Sequence, residues 1–83
     1  MDPREIERII AAGIPGARVS VQGDDGRHYQ AVVVSDAFAG MNMVRQHQLV
    51  YRALGELMQD AIHALSIRTL TPEQWDRERA GGG

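Results

Sequence analysis

The sequence contains no cysteine and no lysine. Without thiols, disulfides and zinc–thiolate sites are excluded. Any metal or cluster must then be held by histidines, carboxylates or a partner's ligands. The missing thiols fit a reducing compartment, and a cytoplasmic location is expected. All nine basic residues are arginine, and eleven acidic residues leave a net charge of −2. A dedicated DNA-binding domain usually carries a basic excess, because phosphate neutralisation dominates affinity; this chain has none. No stretch approaches the roughly 20 apolar residues that a membrane span needs. The opening MDPREIERII has acids and no apolar core, so no secretory signal is expected. At 83 residues, one small domain is expected, without room for a deep cleft closed by a second domain. An enzyme is therefore not expected.

Apolar residues make up 43% of the chain, enough for an ordinary core. Asp2 and Pro3 read as the cap and first position of a helix, with Ile6, Ile9 and Ile10 on one stripe. Gly13, Pro15 and Gly16 stop it. Arg18 to Gln22 alternates, GDDG (23–26) turns the chain, and Arg27 to Ser35 forms the second strand of a hairpin. Ser35 and Asp36 offer caps for a turn or short irregular helix around Gly40. Helical spacing resumes at Val44, with Val50, Leu54, Leu57, Met58 and Ala61 as its apolar stripe. Ile62 to Leu70 is the third strand. Thr71-Pro72-Glu73-Gln74 matches a capping box and opens a short final helix anchored by Trp75. Residues 77–83 read as a flexible tail after a domain spanning 1–76. The order α-β-β-α-β-α places a helix of crossover length between the second and third strands, which makes them parallel. The expected fold is α/β, a three-stranded mixed sheet with helices on one face.

Parallel strands start at the same end of a sheet. His28 opens the second strand, and His63 lies at the mouth of the third. Adjacent strands run about 4.8 Å apart, so two imidazoles there can converge on one ion. The plain alternatives are a half-exposed loop residue for His28 and a buried, backbone-bonded histidine for His63. Two histidines are too few for a zinc site on their own; Asp24 and Asp25, or a partner, would have to add ligands. His47 falls beside the core stripe and reads as a packed helix residue. Arg45, Arg52 and Arg68 read as solvated ion-pairing residues. No phosphate-binding glycine loop is present, because GDDG is followed by a strand. Ser20, Ser35 and Ser66 lack the context of a catalytic triad.

The stretch HYQAVVVSDAFAGMNMVRQHQLVYRAL followed by IHALSIRTLTPEQW resembles the BolA family. The resemblance runs from about Ile6 to Trp75. It rests on the Phe38-x-Gly40 turn after Val-Val-Val-Ser, on the helix RQHQLVYRAL, and on a strand opening Ile62-His63-Ala64 and closing on Thr-Pro. It implies a fold like that of class II KH domains. It also implies pairing with a monothiol glutaredoxin and a shared [2Fe–2S] cluster, with thiolates from the glutaredoxin and glutathione. In this chain the implied cluster ligands are His63 and His28, the latter matching the family's loop Cys or His. Docking is expected on the helix bearing Arg45 and His47, on Arg68, and on the Thr71-Pro72 turn.

An iron–sulfur adaptor acting in cluster trafficking or iron regulation is thus the leading reading. Some BolA-like proteins are described as transcriptional regulators, and a nucleic-acid-binding regulator is the alternative. KH recognition uses a G-x-x-G loop between helices, whereas Gly23 and Gly26 belong to a hairpin turn. A metal-free interaction module is the third reading. Homodimerisation is compatible with the sequence.

Overall fold

In a computed structural model of the chain, residues 2–23, 28–57 and 64–81 are described. Helix α1 spans Pro3–Gly13. The Asp2 carboxylate accepts the Arg4 N–H at 2.9 Å, satisfying one of the free donors at the helix start. Ile6 and Ile10 are its buried residues. Strands β1 (Arg18–Gln22) and β2 (His28–Val34) pair antiparallel, from Arg18 opposite Val34 to Gln22 opposite Gln30. Residues 24–27, which include the expected turn acids Asp24 and Asp25, lie outside the described residues.

After β2 comes a 3₁₀ turn, Asp36–Phe38. The buried Ser35 hydroxyl accepts the Ala37 N–H at 3.1 Å and donates to the Pro15 carbonyl at 2.7 Å. Helix α2 spans Met43–Leu54 and is capped by Asn42, whose side chain accepts the Arg45 N–H at 2.9 Å. The apolar stripe predicts a longer helix, but Gly55 ends it with φ +58° and its N–H bonded to the Tyr51 carbonyl. Leu57 still packs against the core without belonging to that helix, so its burial prolonged the stripe. Met58 and Ala61 lie outside the described residues.

Strand β3 (Ala64–Leu70) lies parallel to β2, in the sheet order β1-β2-β3. Ile62 and His63, expected to open this strand, lie outside the described residues. Helix α3 spans Pro72–Gly81. Its capping box forms as expected: Thr71 N–H donates to Gln74 Oε1 at 2.9 Å, and Gln74 N–H to Thr71 Oγ1 at 3.2 Å. The segment expected as a tail from residue 77 is helical as far as Gly81. Arg77 pairs with Glu73 one turn back, and Glu78 accepts from Arg68 of β3, which extends the helix beyond its Trp75 anchor.

The core joins Ile6, Ile10 and Ile14 to Val21, Tyr29, Ala31 and Val33, with Phe38, Val50 and Leu54 closing it. Burying each such side chain contributes roughly 1.5–3 kcal/mol. Within β2 the side chains alternate: Tyr29, Ala31 and Val33 point to α1 and α2, whereas His28 and Gln30 are exposed. The expectation of helices on one face holds for α1 and α2. Helix α3 departs from it, because Glu78 grips Arg68, which stands on the other face beside Val32. No described helix is long and apolar enough to cross a membrane.

Where α1 ends against α2, a Cβ on Gly13 would lie 2.7 Å from the Ala53 Cβ and 3.2 Å from its Cα. Alanine for glycine in a helix gains up to about 1 kcal/mol, but forcing two backbones apart costs about 1–3 kcal/mol. Gly13→Ala should therefore lower the urea midpoint, read by circular dichroism. An unchanged or raised midpoint would mean that the two helices separate freely at this point.

Candidate functional site

His28 is exposed at the first position of β2, and its strand partner is Ala64 at the first position of β3. A depression of about 620 Å³ opens here at the end of the sheet, lined by His28, Gln22, Gln30, Ala64 and Ser66 and reaching Pro3 of α1. Gln22, Gln30 and Ser66 form one row across the three strands. The row is neutral and rich in hydrogen-bonding groups, and it stands on the face that α1 and α2 leave uncovered. Gly23 is required beneath it: a Cβ there would lie 2.6 Å from Tyr29 Cδ1 and 2.8 Å from the His28 carbonyl oxygen. The glycine lets β1 close over the Tyr29 ring, which is 2% exposed, and so sets where the His28 backbone lies.

His63, the other expected ligand, lies outside the described residues, as do Asp24 and Asp25. Among the described residues no group of three or more His, Asp or Glu is placed to hold a metal ion. His47 is half-buried on α2, in a separate depression shared with Arg68, Met43 and Arg77.

The residues expected at the docking surface line three different depressions. His47 and Arg68 share the first. Arg45 lines another on α2, with Met41, Gln48, Leu49 and Arg52. Pro72 sits with Trp75, Gly16 and Arg18 near the start of α3. Thr71 is spent as the α3 cap. Arg68 is committed to Glu78, with 2.6 Å contacts to both carboxylate oxygens.

Gln46 is a residue that sequence reasoning missed. Its amide nitrogen donates to the Phe38 and Met41 carbonyls at 3.2 and 3.0 Å, and its oxygen accepts the Thr69 hydroxyl at 2.6 Å. One side chain thus ties α2 to the preceding turn and to β3. The available signal was its spacing: Gln46, Val50 and Leu54 are four apart, so a carboxamide occupies the apolar stripe. Gln46→Met keeps the bulk and removes all three bonds, leaving partners without hydrogen bonds. We expect a loss of about 1–3 kcal/mol in denaturant unfolding. A loss below about 0.5 kcal/mol would assign Gln46 to the surface.

Residues 13–74 match the family model described as BolA-like protein. The chain is 38% identical over 84 residues to the acid stress protein IbaG of Escherichia coli K12, covering 100% of this chain and 99% of that protein. It is 32% identical over 59 residues to the DNA-binding transcriptional regulator BolA of the same organism, covering 71% of this chain and 56% of that protein. The solved structure of a bolA protein homologue from Coxiella burnetii superposes with a TM-score of 0.85 at 42% identity, over 93% of this chain and 99% of that one. The parallel β2–β3 pair, the Phe38-x-Gly40 turn and the Thr-Pro cap are thus found in a chain similar to these proteins along nearly its whole length, and the chain belongs to the BolA family.

Proposed function

We propose that the chain is a non-catalytic adaptor that pairs with a monothiol glutaredoxin and completes the ligand set of a [2Fe–2S] cluster through His63 and His28. The observation that carries this reading is the strand register. His28 is exposed at the start of β2, opposite Ala64, and His63 is the residue that precedes Ala64 in the chain. The donor chemistry fits a shared cluster. The chain has no thiol, so every thiolate of a shared cluster would come from the glutaredoxin and glutathione. Imidazole is an accepted replacement for thiolate on one iron of such a centre, where it raises the reduction potential. The exposed Gln22–Gln30–Ser66 row beside His28 offers a partner neutral hydrogen-bonding groups.

The name of the E. coli regulator BolA favours a second reading, a nucleic-acid-binding regulator. The net charge of −2 weighs against it, and the G-x-x-G stretch Gly13–Gly16 links α1 to β1 rather than two helices. A mobility shift on duplex DNA that persists at about 0.15 M salt would support that alternative.

The adaptor reading is tested by adding the chain to cluster-loaded monothiol glutaredoxin with glutathione and following visible absorption and circular dichroism. Wild type should reshape the cluster spectrum. His63→Ala should abolish the change, and His28→Ala should diminish it. A spectrum left untouched by wild type would sink the proposal. An equal change with His63→Ala would leave the partner in place and remove the ligand.

A further inference from the structure

The outer face of α2 carries a combination found on no other described element. The large apolar residues classed as exposed among the described residues are Met43, Val44 and Tyr51, and all three lie on this helix. Helix α2, MVRQHQLVYRAL, contains two arginines and no carboxylate, although the chain as a whole is acidic. The other two described helices mix both signs: α1 pairs Arg8 with Glu5, and α3 pairs Arg77 with Glu73. Arg45 and Arg52 make no ion pair among the described residues.

Helical spacing orders these residues into two ridges. Val50 and Leu54 face the core. Val44 and Tyr51 are seven apart and share one line on a flank of the helix, about a quarter turn from the core side; Arg45 and Arg52 are also seven apart and form the next line, opposite the core, with Gln48 between, while Met43 lies on neither line and borders the His47 depression. Arg45, Gln48 and Arg52 line a depression of about 260 Å³ with Met41 and Leu49. An apolar ridge beside two guanidinium groups matches an amphipathic helix that carries carboxylates along one border of its own apolar stripe. Each exposed pair adds little, so affinity would rest on the apolar ridge and selectivity on the charges.

We propose that the outer face of α2 docks an acidic amphipathic helix of a second protein partner. This surface is independent of the His28 site. His28 lies on the sheet face away from α2, because it alternates with Tyr29, Ala31 and Val33, which point into the core that α2 covers. The chain then presents two partner surfaces on opposite sides of one sheet. Nucleic acid is the weaker occupant: two guanidinium groups neutralise about two phosphates, giving a salt dependence far below that of a dedicated DNA binder. An exposed Val44–Tyr51 ridge has no counterpart on a phosphate backbone.

The test titrates the isotope-labelled full chain, followed by amide resonances, with a designed helical peptide whose apolar Leu stripe is bordered by Glu. A Lys-bordered twin and a duplex DNA are run beside it. The Glu peptide should shift the resonances of Val44, Arg45, Gln48, Tyr51 and Arg52, and the Lys twin should not. Arg45→Glu with Arg52→Glu should reverse that preference. Val44→Ser with Tyr51→Ser should weaken binding at least about tenfold, or 1.4 kcal/mol, while leaving the unbound spectrum folded. His28→Ala and His63→Ala should bind the peptide as wild type does, separating this surface from the cluster reading. Indifference to the Glu peptide, or an equal response to both peptides, would overturn the proposal. So would stronger perturbation of the same amides by DNA, or their concentration-dependent broadening without peptide; these would give the face to nucleic acid or to a second copy.

Discussion

Two parallel strands cannot be joined by a tight turn, and most of this molecule follows from that restriction. Between β2 and β3 the chain must travel back along the sheet. It does so through α2, whose apolar side becomes half of the core cover. The crossover returns β3 beside β2 with both strands starting at the same end, which sets His28 opposite Ala64. The far end of the pair is fixed by polar contacts. The Ser35 N–H donates to the Leu70 carbonyl at 3.0 Å, and Gln46 holds Thr69 from α2. The pair is thus held along its whole ladder, from His28–Ala64 to Val34–Leu70, and tied down at its far end by these contacts.

The fold was largely legible because its signals are local. Alternation in Arg18–Gln22 marked β1, proline and glycine marked the limits of α1, and Thr71 with Gln74 announced α3. What escaped were features decided by hydrogen bonds between elements. Leu57 prolonged the helical stripe because periodicity reports burial, whereas the stop at Gly55 is a backbone event. The C-terminal segment read as a tail because its sequence is charged, and charge does not show that Arg68 reaches Glu78.

The candidate site divides in the same way. That His28 lies at the start of a strand was readable from the hairpin pattern that places a strand directly after the GDDG turn. Its importance came from the resemblance, since the residues alone fit a half-exposed loop histidine equally well. The docking residues on α2 fall on two sides of the helix. Arg45 and His47 are two apart in sequence, and two steps along a helix turn a side chain through more than half a revolution. One therefore lies beside Arg52 and the other beside Arg68.

The two proposed surfaces differ in character, which constrains how they can work together. The row beside His28 is neutral, so recognition there would depend on hydrogen-bond geometry and be nearly indifferent to salt. The α2 face couples a small apolar ridge to two charges, so recognition there would be selective for acidic partners and sensitive to ionic strength. A chain with no thiol can complete a partner's ligand set, but two imidazoles cannot take a cluster over and carry it alone. On the proposed reading it acts only while the glutaredoxin is bound. A second docking face would then bring another protein to the cluster without asking this chain to hold the iron by itself.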